Sequence, residues 1–210
     1  NSAFQVALNS QIYVDKTTLI SYMNSVLDTT DAYICNSRPR RFGKSYTANM
    51  LAAYYSKGCN SEKMFSRLAI SKDANYRKHL NKYDVIHIDI QWFLSNSKDA
   101  DGVVQFIKTA ILSELKEIYP YILSEAIYSV SDALSIIREK TGQKFIIIID
   151  EWDVLIRDEA ANQEIQTEYL NFLRGLFKGV EPTRYIQLAY LTGILPFKKE
   201  KTQSAVNNLK

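Results

Sequence analysis

Eight consecutive residues, Arg38-Pro39-Arg40-Arg41-Phe42-Gly43-Lys44-Ser45, have the types and spacing to hold a phosphorylated ligand. Gly43 lets the backbone approach an anion with no Cβ in the way. The N–H groups that follow, with the positive end of a helix dipole, point at the same anion. Lys44 can neutralise the β- and γ-phosphates, and the Ser45 hydroxyl can ligate Mg²⁺. Phosphate loops usually read Gly, four residues, then Gly-Lys-Ser/Thr, and the first glycine position is Arg38 here. Pro39 has no N–H, so the loop entrance offers one donor fewer. Arg40 and Arg41 can reach phosphate oxygens, stack on a base, or pair with carboxylates on the rim.

A second group of candidates stands downstream. Asp150-Glu151 ends the run Phe145-Ile146-Ile147-Ile148-Ile149. A carboxylate at the carboxyl end of such a strand lies where an open α/β sheet places ligands. Asp150 can complete the Mg²⁺ shell opposite Ser45, and Glu151 can polarise an attacking water. The plainer reading is that the pair only caps the next helix. Asp153 is either a further metal ligand or a solvated or capping carboxylate. Thr192, before Gly193, is placed to sense the γ-phosphate and the water, or is an ordinary turn threonine. Asp89 reads first as a strand-end acid, and otherwise as a contact of the catalytic water or of Glu151. Glu114-Leu115-Lys116 resembles a nuclease Glu-x-Lys only superficially, because it lies on a helix. His79 and His87 share no ligand cluster.

Elements must position these groups. The apolar run Tyr33-Ile34-Cys35 precedes the loop, and a helix pattern to Lys57 follows it, with Tyr46, Met50, Leu51 and Tyr54 on one side and Gly58 as its stop. Ile12-Tyr13-Val14 reads as a short extended piece, and Asp15 as the cap of a helix with Leu19, Ile20, Met23, Val26 and Leu27 in one stripe. Asn1–Ser10 carries no signal. Further strands are expected at 84–90, 145–149 and 185–191, with helices over about 102–118, 131–141 and 161–178 and a polar turn at 95–101. Continuous apolar residues in the 145–149 strand require cover on both faces. Strands alternating with helices give an α/β fold with a doubly wound parallel sheet.

The composition narrows the function classes. With 46% hydrophobic and 23% charged residues, the 210-residue chain can build a real core and is not a disordered segment. The isoleucine run is too short to cross a bilayer, and no secretory leader is visible. Cys35 and Cys59 make no disulfide framework, so the expected setting is cytoplasmic. Net charge is +3, but residues 1–100 hold 13 Lys/Arg against 8 Asp/Glu. Much of that excess is Arg38, Arg40, Arg41 and Lys44. A compact cationic knot fits a small polyanion better than an extended nucleic-acid surface.

Four stretches together resemble one family. They are Tyr13-Val14-Asp15-Lys16-Thr17, Ser37 to Ser45, Ile148-Ile149-Asp150-Glu151-Trp152-Asp153, and Leu191-Thr192-Gly193-Ile194-Leu195. The chain is similar to the predicted AAA-ATPase-like family of bacteria, itself similar to archaeal and STAND ATPases. The resemblance implies a three-layer P-loop NTPase core with a mostly parallel sheet, here stopping before a fifth strand and a lid. It implies residues 1–32 as a lead segment with one helix, 33–195 as the ATPase core and 196–210 as the start of a following segment. Arg38, Pro39, Arg40, Arg41, Phe42, Gly43, Lys44, Ser45 and Tyr46 become the ATP-binding loop. Ser45 and Asp150 become the Mg²⁺ ligands, and Glu151, Lys44 and Thr192 the catalytic set. Arg38 for glycine is then typical of the lineage. Trp152 stands where tyrosine is more usual, and Val154-Leu155 where a proline often follows.

Family members often continue into a PD-(D/E)XK nuclease-like domain. The expected partners are therefore ATP or ADP and a C-terminal effector domain, with a homo-oligomer and nucleic acid left open and no membrane. Lys198, Lys199 and Lys201 are candidates for phosphate contact by position alone. The leading expectation is an ATPase that switches or drives an effector, slow in isolation because a missing arginine finger is worth about 10³–10⁵ in rate. The alternative is a nucleotide-gated interaction module with little turnover. A kinase fits the Asp-Glu pair less well, and a GTPase lacks its base-reading Asn/Thr-Lys-x-Asp.

Overall fold

Parallel pairing of four strands organises the chain. The computed structural model describes residues 1–97, 102–157 and 162–195. The strands are β1 (Tyr33–Ser37), β2 (Asp84–Asp89), β3 (Phe145–Asp150) and β4 (Ile186–Gly193). They lie in the order β1-β4-β3-β2, all parallel. The α-helices among the described residues are α1 (Ser2–Leu8), α2 (Thr18–Val26), α3 (Lys44–Tyr55), α4 (Glu62–Phe65), α5 (Tyr76–His79) and α6 (Ile90–Asn96). They continue as α7 (Val103–Ile118), α8 (Val130–Thr141), α9 (Val154–Arg157), α10 (Gln163–Phe177) and α11 (Glu181–Tyr185).

This order follows from connection handedness. The β1-to-β2 connection crosses the whole sheet, and α3 within it touches β2, β3 and β4. The two later connections step back one strand at a time. Right-handed crossovers then put their helices on the opposite face. There α7, α8, α10 and α11 pack on one another. Every residue of β3 is buried, as a strand covered on both faces requires. Each of its isoleucines contributes about 1.5–3 kcal/mol of burial. No helix among the described residues is long and apolar enough to cross a membrane.

Strand register sets the site. Asp89 of β2 is level with Asp150 of β3, and Ser37 of β1 is level with Gly193 of β4. All four strands therefore release their chemistry-bearing residues at one edge of the sheet.

Several local expectations are corrected. The lead segment has two helices: Asn1–Ser10 contains α1, whose Phe4 and Ala7, one turn apart, are buried. Phe4 stacks on Phe65 with ring centroids 5.0 Å apart, so α1 is held by tertiary contact and not by propensity. Ile12–Val14 forms no strand. Asp15 does not cap α2; its carboxylate accepts from Thr17 and Ala69. Gly58 does not stop α3. That helix ends at Tyr55, where Asn81 Nδ2 donates to the carbonyls of Ala53, Tyr54 and Ser56 at 3.0, 3.2 and 3.0 Å. A side chain remote in sequence does the work expected of a glycine. Tyr46 lies off the buried side of α3 and is 60% exposed. Residues 95 and 96, expected in a polar turn, are the last of α6, which starts directly from β2; 98–101 of that expected turn lie outside the described residues. Gly142 caps the end of α8, with φ +76°. Cys35 is a free thiol, and burial pushes its pKa up to about 11.

Candidate active site

The loop between β1 and α3 begins as an extension of the sheet, because the Arg38 N–H donates to Gly193 O at 3.1 Å. It then turns twice through left-handed backbone, at Arg41 (φ +69°) and Gly43 (φ +74°). Gly43 adopts that conformation without cost, whereas Arg41 is a strained position of the kind that clusters at ligand clamps. Alternating backbone hand of this sort makes an anion-binding concavity of N–H groups. Lys44 opens α3 and is 6% exposed; its Nζ donates to Pro39 O at 3.2 Å, folding the loop back on itself.

A cleft of about 1140 Å³ lies against this loop, large enough for a nucleotide. Residues 40–46 line it, together with Asp89, Asp150, Glu151 and Arg157. Arg38 and Pro39 are exposed at the loop entrance, outside that lining. Arg40, Arg41, Phe42, Ser45 and Tyr46 are all exposed, so the loop offers its side chains to a ligand. Lys198, Lys199 and Lys201 fall outside the described residues.

Across the cleft, the exit of β3 is held by β4. Thr192 is fully buried, and its hydroxyl donates to Asp150 Oδ1. The Glu151 N–H points to the same two atoms, Asp150 Oδ1 at 3.1 Å and Thr192 Oγ1 at 3.3 Å. These bonds hold Glu151 at φ +53°, a conformation that costs a non-glycine residue about 1–2 kcal/mol. Thr192 therefore orients Asp150 and the Glu151 backbone; it does not reach into the cleft. Asp150 accepts these bonds at Oδ1, and its Oδ2 has no hydrogen-bond partner among the described residues, so Asp150 and Ser45, which line one cleft, are residues that could hold a hard cation. Asp89 lines the cleft but also caps α6, accepting from the Trp92 N–H at 3.1 Å. Trp92 itself is 52% exposed.

Glu151 lies between two cations. Its Oε1 is 3.9 Å from Lys44 Nζ, and its Oε2 accepts from Arg157 Nη2 at 2.9 Å. Arg157 donates in turn to Asp153, from Nε at 2.9 Å. Asp153 is neither solvated nor in the cleft: it is fully buried and accepts the N–H groups of Ile194 (2.9 Å) and Leu195 (2.7 Å). It ties α9 to the end of β4. Gly193 sits beside it because there is no room for more. A Cβ there would lie 2.5 Å from Trp152 Nε1 and 2.9 Å from Asp153 Oδ1. Gly193→Ala is expected to lower the unfolding free energy by about 2–3 kcal/mol, read as a shifted denaturant midpoint, since the buried Trp152 and Asp153 cannot move aside.

These groups stand at one strand edge around one loop, and residues 3–202 match the family described as Predicted AAA-ATPase. The chain belongs to that family. An uncharacterized protein in the vnfD 5' region of Azotobacter chroococcum mcd 1 is 24% identical over 199 residues. That match takes in 94% of this chain but 36% of the relative, so the chain spans little more than a third of that protein's length.

Two residues of this family member were given no role at the site by the sequence reading, Lys16 entering it only within the stretch Tyr13 to Thr17. Arg157 is four residues from Asp153, the spacing at which opposite charges meet on a helix, and that was the available signal. Lys16 reaches the loop from the lead segment, its Nζ donating to Phe42 O at 3.0 Å.

Proposed function

We propose that this chain is an Mg²⁺-dependent ATP-binding and ATP-hydrolysing domain that switches or drives a further effector domain. The observation that carries this reading is the meeting of Lys44, Glu151 and Asp150 around the loop's cleft, from elements more than a hundred residues apart. Lys44 and the loop N–H groups would bind the β- and γ-phosphates. Ser45 and Asp150 would hold Mg²⁺, which would supply positive charge to neutralise that on the phosphate oxygens. Thr192 fixes Asp150 for that role. Glu151 would accept a proton from water attacking the γ-phosphate, and Arg157 holds its carboxylate in place. Phosphate oxygens would compete with Glu151 for Lys44.

Lys44→Ala is expected to weaken ATP binding by about a hundredfold or more, because a charge-assisted contact to phosphate is lost from a buried position. Isothermal titration with Mg²⁺ and ATP measures this. Wild-type protein that binds no ATP overturns the proposal.

A second reading is favoured by one observation: Glu151 Oε2 is engaged by Arg157. A domain whose general base is held in an ion pair could bind ATP or ADP as a gate and turn it over little. Binding without turnover in the full-length protein supports this reading over the first.

A further inference from the structure

We propose that Lys16 is a second phosphate-binding cation of the cleft, brought to the loop by the segment preceding β1. The inference rests on the nucleotide-binding reading above and adds a residue from outside the loop to it.

The two neighbours of Lys16 are fixed. Asp15 Oδ1 accepts from Thr17 N at 2.8 Å and Thr17 Oγ1 at 2.7 Å, while Oδ2 accepts from Ala69 N at 2.7 Å. Partial burial pushes the Asp15 carboxyl up, but these three bonds outweigh it and hold it below the usual carboxylate range. Thr17 is fully buried, and its Oγ1 accepts from Ile70 N at 3.1 Å. Backbone on both sides of Lys16 is thus anchored to the 3₁₀ turn Ala69–Lys72. The backbone that presents Lys16 is therefore already ordered before a ligand arrives, and only the side chain has freedom left to lose.

The ammonium itself is under-used. It makes one hydrogen bond, to Phe42 O, and a lysine has three donors. No carboxylate lies within 4.0 Å of it among the described residues. It lines the same cleft as Lys44, Arg40 and Arg41. A Cβ on Gly43 would stand 3.1 Å from its Nζ, so glycine is what allows the ammonium this close to the loop. A neutral donor would hold the Phe42 carbonyl as well. Another positive charge beside Lys44 is unfavourable until a polyanion arrives, and the polyphosphate chain of a nucleotide is the ligand that offsets it.

The test compares full-chain wild type, Lys16→Gln, Lys16→Arg and Lys44→Ala by isothermal titration with ATP, ADP and AMP. Circular dichroism melts of the ligand-free proteins run alongside. The expected result for Lys16→Gln is an unchanged melt and ATP binding weakened about tenfold to a hundredfold. The loss should shrink from ATP to ADP to AMP, and Lys16→Arg should restore most of it. Equal losses for all three nucleotides would mean that Lys16 only supports the loop, and would overturn the inference. So would wild-type affinity in Lys16→Gln while Lys44→Ala loses binding, which leaves the nucleotide reading standing. Wild-type protein that binds none of the three overturns that reading and this inference together.

Discussion

Glu151→Gln should keep ATP binding and lose about 10²–10⁴-fold in the rate of hydrolysis, the usual worth of a positioned general base. Glutamine preserves the shape of the side chain and leaves the backbone bonds to Asp150 and Thr192 untouched, so the strained turn at φ +53° survives. What disappears is the basic oxygen and the negative charge. Arg157 then retains only Asp153 as a charged partner, and Lys44 loses its 3.9 Å anionic competitor. Affinity for ATP should therefore hold or rise slightly as the rate falls. That split between binding and rate distinguishes loss of a base from loss of a phosphate ligand. Single-turnover phosphate release beside equilibrium titration reads both quantities. Turnover equal to wild type in this variant would remove Glu151 from the mechanism.

The parts of this site that were legible from sequence are those whose chemistry is local. Gly43-Lys44-Ser45 is readable because loop, helix start and candidate phosphate ligands are adjacent in the chain. The isoleucines 146–149 announce a doubly covered strand, and the acids at its end follow from strand geometry. The illegible parts depend on approach through space. Lys16 lies beside Phe42 only because Asp15 and Thr17 are tied to residues 69 and 70. Asn81 ends α3 from 26 residues beyond its last residue, which no local cap rule can supply. Helix α1 has too short an apolar stripe to be seen without Phe65 opposite it. Thr192 was placed at the correct strand end, but which way its hydroxyl turns depends on β3 and β4 being neighbours. Arg41 in left-handed backbone is opposite to its propensity, and such local conflicts are expected where a loop is shaped for a ligand.

Asp153→Ala should be among the most damaging single changes in this chain, lowering the unfolding free energy by about 3–5 kcal/mol. The carboxylate is fully buried and answers four N–H donors: two from Arg157 and the backbone groups of Ile194 and Leu195. Alanine orphans those backbone groups and leaves Arg157, at 20% side-chain exposure, with Glu151 alone. A denaturant titration should show a lower midpoint with an unchanged slope. Asp153→Asn keeps an acceptor for the backbone but not the charge, so it should fall between wild type and alanine. The double variant Asp153→Ala with Arg157→Met should lose less than the sum of the two single losses, because the second change removes a partner that the first has already stranded. Strict additivity would show that the two residues act independently. The same carboxylate joins Arg157, and through it Glu151, to the end of β4, where the chain leaves the sheet. If the pair is coupled, a displacement of residues 194–195 alters the setting of the Glu151 carboxylate, and a ligand that draws on Glu151 is felt at that exit.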